Sequence, residues 1–233
     1  MNSPSGISTK EKKSVSQRKR DLPASFSKSS GGPKLARVKF RKIKSEIRVV
    51  GVDDGPFTPH SNEEVLLVGT IFRGGKWLDG VLSTHVQVDG TDATRKIVDM
   101  INGSRHKDQL RVIMTSGITF AGFNVADIRE IFEETGLPVI SISRRLPDLA
   151  SVERALRNLP DWSERWDKFK SAGKIYEVRA RRGAVYMQIA GIERADAEEI
   201  VRSTTVRGLI PEPLRVAHLI ATGVVSGEST GRA

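Results

Sequence analysis

The sequence predicts a mixed α/β fold: a five-stranded sheet, made of a three-stranded antiparallel meander and two added parallel strands, flanked by helices. Three observations point to it. Apolar, β-branched runs at 47–54, 64–73 and 77–88 are joined by connections short enough only for antiparallel neighbours. Two further apolar runs, 110–115 and 138–143, alternate with helical patterns, which calls for right-handed parallel crossovers. Within the third run, Leu82, Thr84, Val86 and Val88 alternate with Ser83, His85 and Gln87, the period of a strand with one wetter face.

Taken in order, residues 1–38 are rich in Ser, Lys, Arg, Gly and Pro and poor in apolar residues. Such a segment cannot bury enough surface to offset its ordering entropy, and it is read as a disordered basic tail ahead of a domain at 39–227, with a frayed end at 228–233. Ile47, Val49, Val50 and Val52 form the first strand, and Asp53-Asp54 arrive where Gly55-Pro56 turns the chain. The second strand ends at Gly74-Gly75. After the third, Thr91-Asp92 is placed to cap a helix that turns Ala93, Ile97, Met100 and Ile101 to one side. The fourth strand, LRVIMT, leads through Ser116-Gly117 into the loop ITFAGF; Asn124 is expected to cap the next helix and Gly136 to end it. PVISIS is the fifth strand and ends in Arg144-Arg145. Helices at 149–159 and 162–171 follow, the second with Trp162, Trp166 and Phe169 on a core-facing stripe. A hairpin turns around residues 181–183, a helix carries Ala197, Ile200 and Val201 inward, and a final helix begins after Ile210-Pro211-Glu212-Pro213 with Arg215 and His218 on it.

The net charge of +10 is unevenly placed. Residues 1–48 hold 14 Lys and Arg against 3 Asp and Glu, so the rest of the chain is close to neutral and the pI says little about what the domain binds. The tail's Lys12-Lys13 and Arg18-Lys19-Arg20 suit phosphate contacts or simple solubilisation equally well. There is no cysteine, which excludes a disulfide framework and cysteine-based zinc or nucleophile chemistry. No apolar run reaches the ~18 residues of a membrane span and no signal-peptide core opens the chain, so a soluble, cytoplasmic protein without a membrane partner is expected.

Ligands of an α/β sheet sit beyond the carboxyl ends of its parallel strands. That edge should gather Asp53-Asp54, Ser116-Gly117 and Arg144-Arg145, with Asp89 and Asp92 reaching it if the start of the first helix folds back over it. Carboxylates mixed with arginines suit metal-assisted phosphoryl transfer. Each also has a plainer use: Asp-Asp-Gly-Pro as turn chemistry, Asp92 as a helix cap, His218 as a satisfied helix histidine, Arg144-Arg145 as a solvated loop.

Five segments, in order over about residues 42–227, carry a resemblance: GVDDGPF, VDGTDAT, GITFAGFNVAD, PVISISRR and IPEPLRVAH. They resemble the archaeal endonuclease V-related family, called endonuclease dU, and more distantly endonuclease V. The resemblance implies a ribonuclease H-like fold, no organic cofactor, and Mg²⁺- or Mn²⁺-dependent hydrolysis of a phosphodiester in DNA near a deaminated base, a DNA-repair activity. It carries the bridging metal aspartate to Asp53, a second acidic ligand to Asp92 (or Asp89), a phosphate-facing cation to Arg144, and the last motif to Arg215 and His218. A histidine ligand shifts preference towards Mn²⁺. Backbone amides around Gly117 and Gly122 are candidates to line a pocket for an extruded base. The chain departs from endonuclease V at Ser116, where that pattern has an aspartate, so Asp54 stands in or a single ion suffices. It also lacks the Pro-Tyr-Ile-Pro wedge in STHVQVDGTD. A non-catalytic nucleic-acid binder of this fold and an RNA-directed nuclease are the competing readings.

Overall fold

The computed structural model describes residues 37–180 and 182–229. All but the last two residues of the expected basic tail, the hairpin turn at Arg181 and the final four residues of the chain lie outside these. Arg37 and Val38 are held: Arg37 Nη1 donates to Glu193 Oε1 at 2.6 Å, and Val38 bridges to Ile192.

The five expected strands are present with the expected directions. β1 (Arg48–Asp54), β2 (Glu64–Arg73) and β3 (Trp77–Gln87) form the antiparallel meander; the first connection turns at Pro59–His60 rather than at Gly55–Pro56, and the second at Gly74–Gly75. After α1 (Ala93–Asn102), β4 (Val112–Ser116) lies parallel to β1. The loop beyond it carries two very short strands, β5 (Thr119–Phe120) and β6 (Asn124–Val125), paired with each other. α2 (Ile128–Thr135) then leads to β7 (Val139–Ser143), parallel to β4, and α3 (Leu149–Leu156) and α4 (Trp162–Ser171) follow. The hairpin of β8 (Tyr176–Ala180) and β9 (Gly183–Ala190) joins this same sheet, β9 pairing antiparallel with β7. The sheet therefore has seven strands in the order β3-β2-β1-β4-β7-β9-β8. α5 (Arg194–Thr204) and α6 (Glu212–Ser226) complete the chain.

The central strands are apolar on both faces because helices cover both. Val50, Val52 and Ile113 point into a layer with Ile97, Ile101, Ile128 and Ile131 of α1 and α2. Val49, Val112, Met114 and Ile140 point the other way, towards Ile200 and Val201 of α5 and Leu214 of α6. α6 crosses β1 and β2 so closely that Gly51 has no room for a side chain, and Thr70 Oγ1 donates to Pro213 O at 2.6 Å.

Capping differs from the reading of the sequence at two places. Asn124 does not cap α2; Asp127 does, its Oδ1 accepting from Arg129 N at 2.9 Å. Asn124 instead accepts from Ala93 N at 2.9 Å, and so caps α1 from across the structure. Asp92, at the N-cap position of α1, makes no capping bond to its own helix.

Candidate active site

At the carboxyl ends of β1, β4 and β7 the described residues open a cleft of about 700 Å³. The pleat sorts its lining. Asp53 continues the face of Val49 and Gly51, towards α6; parallel pairing of Val52 with Thr115 brings Ser116 beside it. The cleft is lined by Asp53, Asp54, Ser116, Gly117 and Arg144 from the strand ends and by His218 from α6. Six residues separated by as many as 165 positions thus meet at one edge.

Asp53 is 6% exposed, and His218 Nδ1 lies 3.2 Å from its Oδ2. That hydrogen bond holds the imidazole above its ordinary range, against the opposing effect of burial. α6 can deliver His218 here because Glu212, 4% exposed, anchors its first turn: Oε1 accepts from Arg207 N at 2.7 Å and Oε2 from Arg215 Nη2 at 2.6 Å. Arg215 is therefore committed to this anchor and is not among the residues lining the cleft.

Asp54 faces the other way from Asp53. Its Oδ2 accepts from Ala121 N at 2.6 Å, a bond that depends on Ala121 and Gly122 taking positive φ (43° and 91°). Burial, and next the charge of Asp53, push the Asp54 carboxyl up to about 7, although the Ala121 N–H pulls it down. In the unfolded chain it titrates near 3.8. The folded state thus holds the proton more tightly. The stability this provides is complete below pH 4 and is lost as the pH rises through about 7. Asp54→Asn, compared with the parent in EDTA, is expected to be more stable by roughly 2–4 kcal/mol at pH 8 and little changed at pH 4. Thermal melts at the two pH values check this; an equal shift at both would reject it.

Asp89 and Asp92 do not line the cleft. Asp92 Oδ1 accepts from Asn124 Nδ2 at 2.6 Å and Gln87 N at 3.3 Å, tying the start of α1 to the β5–β6 loop. Asp89 Oδ1 accepts from Phe123 N at 2.8 Å, and its Oδ2 lies 3.3 Å from the exposed His60. Gly122 is glycine because Asp89 fills its side-chain space, and it lies outside the cleft. Arg165, 6% exposed, binds this loop assembly from α4: it donates to Asp89 O at 2.7 Å, Gly90 O at 2.8 Å and Phe123 O, with Asp161 neutralising it at 2.8 Å. Asp89, Asp92 and Arg165 are thus parts of the scaffold that holds Ala121 against Asp54.

A second hollow of about 510 Å³ adjoins the first; Arg145 lines it with Leu146, Leu149, Val152 and Phe169, and it shares Gly117 and Arg144. Ser116, Gly117 and Arg144 therefore meet the metal-ligand candidates, Arg145 stands next door, and Gly122 and Arg215 stand apart. Phe57, Ile210, Leu214 and Thr222 also line the main cleft and were not singled out in the sequence. The spacing Leu214, His218, Thr222, four and four along one helix face, is the signal that finds two of them.

A UPF0215 protein of Methanothermobacter thermautotrophicus is 60% identical over 195 residues, 83% of this chain and 95% of that one. A UPF0215 protein of Methanopyrus kandleri is 52% identical over 84% of this chain and 100% of its own length. Among solved structures, a protein of unknown function from Archaeoglobus fulgidus superposes with a TM-score of 0.69 at 35% identity, covering 77% of this chain and 98% of that one. Ciona intestinalis endonuclease V, solved in complex with an inosine-containing DNA, gives a TM-score of 0.53 at 12% identity over 77% of this chain and 86% of that one. At that identity the likeness concerns the fold alone, a mixed α/β sheet flanked by helices. The family model described as endonuclease dU matches residues 45–225, and the chain belongs to that family.

Proposed function

We propose that the cleft is the active site of a divalent-cation-dependent endonuclease that hydrolyses a phosphodiester in DNA beside a deaminated base, in DNA repair. The observation that carries this reading is the meeting of Asp53, Asp54, His218 and Arg144 at one sheet edge. Family membership and the fold shared with a DNA-bound endonuclease V support it.

The donor set fits a hard cation. Burial, and next the charge of Asp53, push Asp54 up to about 7, and a bound dication would relieve the repulsion between the two carboxylates. Among the described residues no three or more acidic or histidine side chains are grouped so as to hold an ion by themselves. Asp53 and His218 would hold the ion, with Asp54 behind them, leaving positions for water and phosphate oxygens; Mg²⁺ is commonly bound through so few protein ligands, and the imidazole favours Mn²⁺. Bound there, the ion would supply Lewis-acid activation of water and neutralise the leaving oxygen. The chain's own residues do the rest. Asp53 orients His218 through their hydrogen bond, and the guanidinium of Arg144 attracts and aligns the phosphate. Ser116 and Gly117 keep the floor of the cleft small and polar, so a phosphate can approach Asp53 closely.

The test uses the full chain with Mg²⁺ or Mn²⁺ and labelled duplexes carrying uracil, inosine or no lesion, alongside matching RNA. Lesion-dependent nicking of DNA, abolished by EDTA, is expected. No cleavage above an Asp53→Ala control on any substrate would overturn the reading. If binding then persists in EDTA, the protein is a nucleic-acid binder without catalysis, and preferential cutting of RNA would move the activity to that polymer.

A further inference from the structure

α6 runs obliquely over the cleft. Leu214 belongs to the apolar layer with Met114 and Ile142, His218 stands at Asp53 of β1, and Ala217 and Ala221 pack on Val68 of β2. The helix therefore follows β1 and β2, from Gly51 and Thr70 under its first turn to Asp53 and Gly55 at the cleft. Thr222, one turn beyond His218, lines the cleft with Gly55, Pro56 and Phe57. It is 3% exposed, and its Oγ1 has no hydrogen-bond partner among the described residues.

Buried side-chain polar atoms in native proteins are nearly always paired, and leaving one unpaired is costly. Valine would fill the same volume without that cost, so packing does not account for a hydroxyl here. The cleft is where its partner must come from. Four residues along a helix advance about 6 Å, comparable with the separation of neighbouring phosphates on one strand. We infer that Thr222 Oγ1 donates to a phosphate oxygen of the bound strand, the phosphate next to the one facing Asp53 and His218. Arg144 attracts and aligns the strand, and a single short hydroxyl bond one helix turn beyond His218 helps set which phosphate rests at Asp53. Thr222 is thus a positioning residue. The inference rests on the proposal that the cleft binds nucleic acid.

The test measures binding to the full chain carrying Asp53→Asn, so that the strand is held rather than cut. Each phosphate of the labelled oligonucleotide is replaced in turn by an uncharged methylphosphonate. Adding Thr222→Val is expected to weaken binding of the unmodified strand about tenfold, whereas Thr222→Ser stays near the parent. One methylphosphonate position should cost the Thr222 protein a similar factor and cost the valine variant nothing more, the non-additivity of two groups in contact. The valine variant should melt no lower than its parent. Unchanged affinity on Thr222→Val, or additive penalties at every phosphate, would overturn the inference and leave nucleic-acid binding standing. Absence of binding by the Asp53→Asn parent to every strand would overturn both.

Discussion

Replacing Asp53 by asparagine is expected to lower phosphodiester cleavage by about a thousandfold while leaving the melting temperature unchanged or slightly raised. The side chain is 6% exposed and meets His218 at 3.2 Å, so it both orients the imidazole and presents the charge that a dication would meet. Asparagine preserves the shape and an oxygen for the His218 contact but removes that charge. It also removes the charge of Asp53, which after burial is the largest cause pushing Asp54 up, and so relieves the fold of crowded negative charge. Loss of activity without loss of stability is the signature of a group placed for chemistry at some expense to the fold. Asp92 provides the contrast. Its carboxylate holds Asn124 and Gln87 together, away from the cleft lining. Asp92→Ala should therefore act chiefly on the melting temperature, and cleavage measured well below the melt should fall less than about tenfold. Comparable kinetic losses at the two positions would show that Asp92 is a ligand after all and that the cleft closes further around its substrate.

The strands were legible because β-branched runs separated by short turns allow few arrangements, and parallel pairing of β1, β4 and β7 necessarily gathers Asp53, Ser116 and Arg144 at one edge. What escaped depends on partners distant in sequence. β8 and β9 look like a hairpin in the sequence, yet nothing local states that Val139 will pair with Ala190. Asn124 precedes an apolar run as a cap would, but Asp127 lies closer to the helix start and the amide of Asn124 is drawn to α1. β5 and β6 span two residues each, too short to display a period. Arg165 sits in an amphipathic helix where arginine ordinarily faces water; only the fold brings three backbone carbonyls around it. Asp92 stands apart from the cleft lining for the same reason. The expectation that it reaches the edge required the α1 start to fold back over the cleft, and Asn124 and Arg165 instead hold that segment against the β5–β6 loop.

Gly51→Ala is expected to be a strongly damaging small substitution. Gly51 is an unremarkable strand residue in its backbone angles, so its importance lies in what crosses it. A Cβ built there would lie 2.6 Å from Pro213 Cβ and 2.7 Å from Leu214 N, and nearer still to the carbonyl carbon of Pro213. Backbone cannot swing aside as a side-chain tip can. Relief requires lifting the first turn of α6 from β1, which breaks the Thr70–Pro213 hydrogen bond and loosens the turn that Glu212 anchors. A cost of roughly 3–4 kcal/mol follows from overpacking plus the lost bond, or about 10 °C in melting temperature for a domain of this size. The Pro-Glu-Pro entry also sets the register of Leu214, His218 and Thr222, so a lifted first turn carries His218 away from Asp53. Below its melt, Gly51→Ala should therefore also cleave more slowly. Gly136 is the control. It takes a left-handed φ of 67° but has nothing within 4 Å of a built Cβ, so alanine there meets only backbone strain, about 1 kcal/mol, with cleavage intact. Calorimetry and cleavage measured on the two variants separate the cases. Equal melting temperatures would show that α6 can shift on β1 without penalty, and that its contact with Gly51 does not set the position of His218.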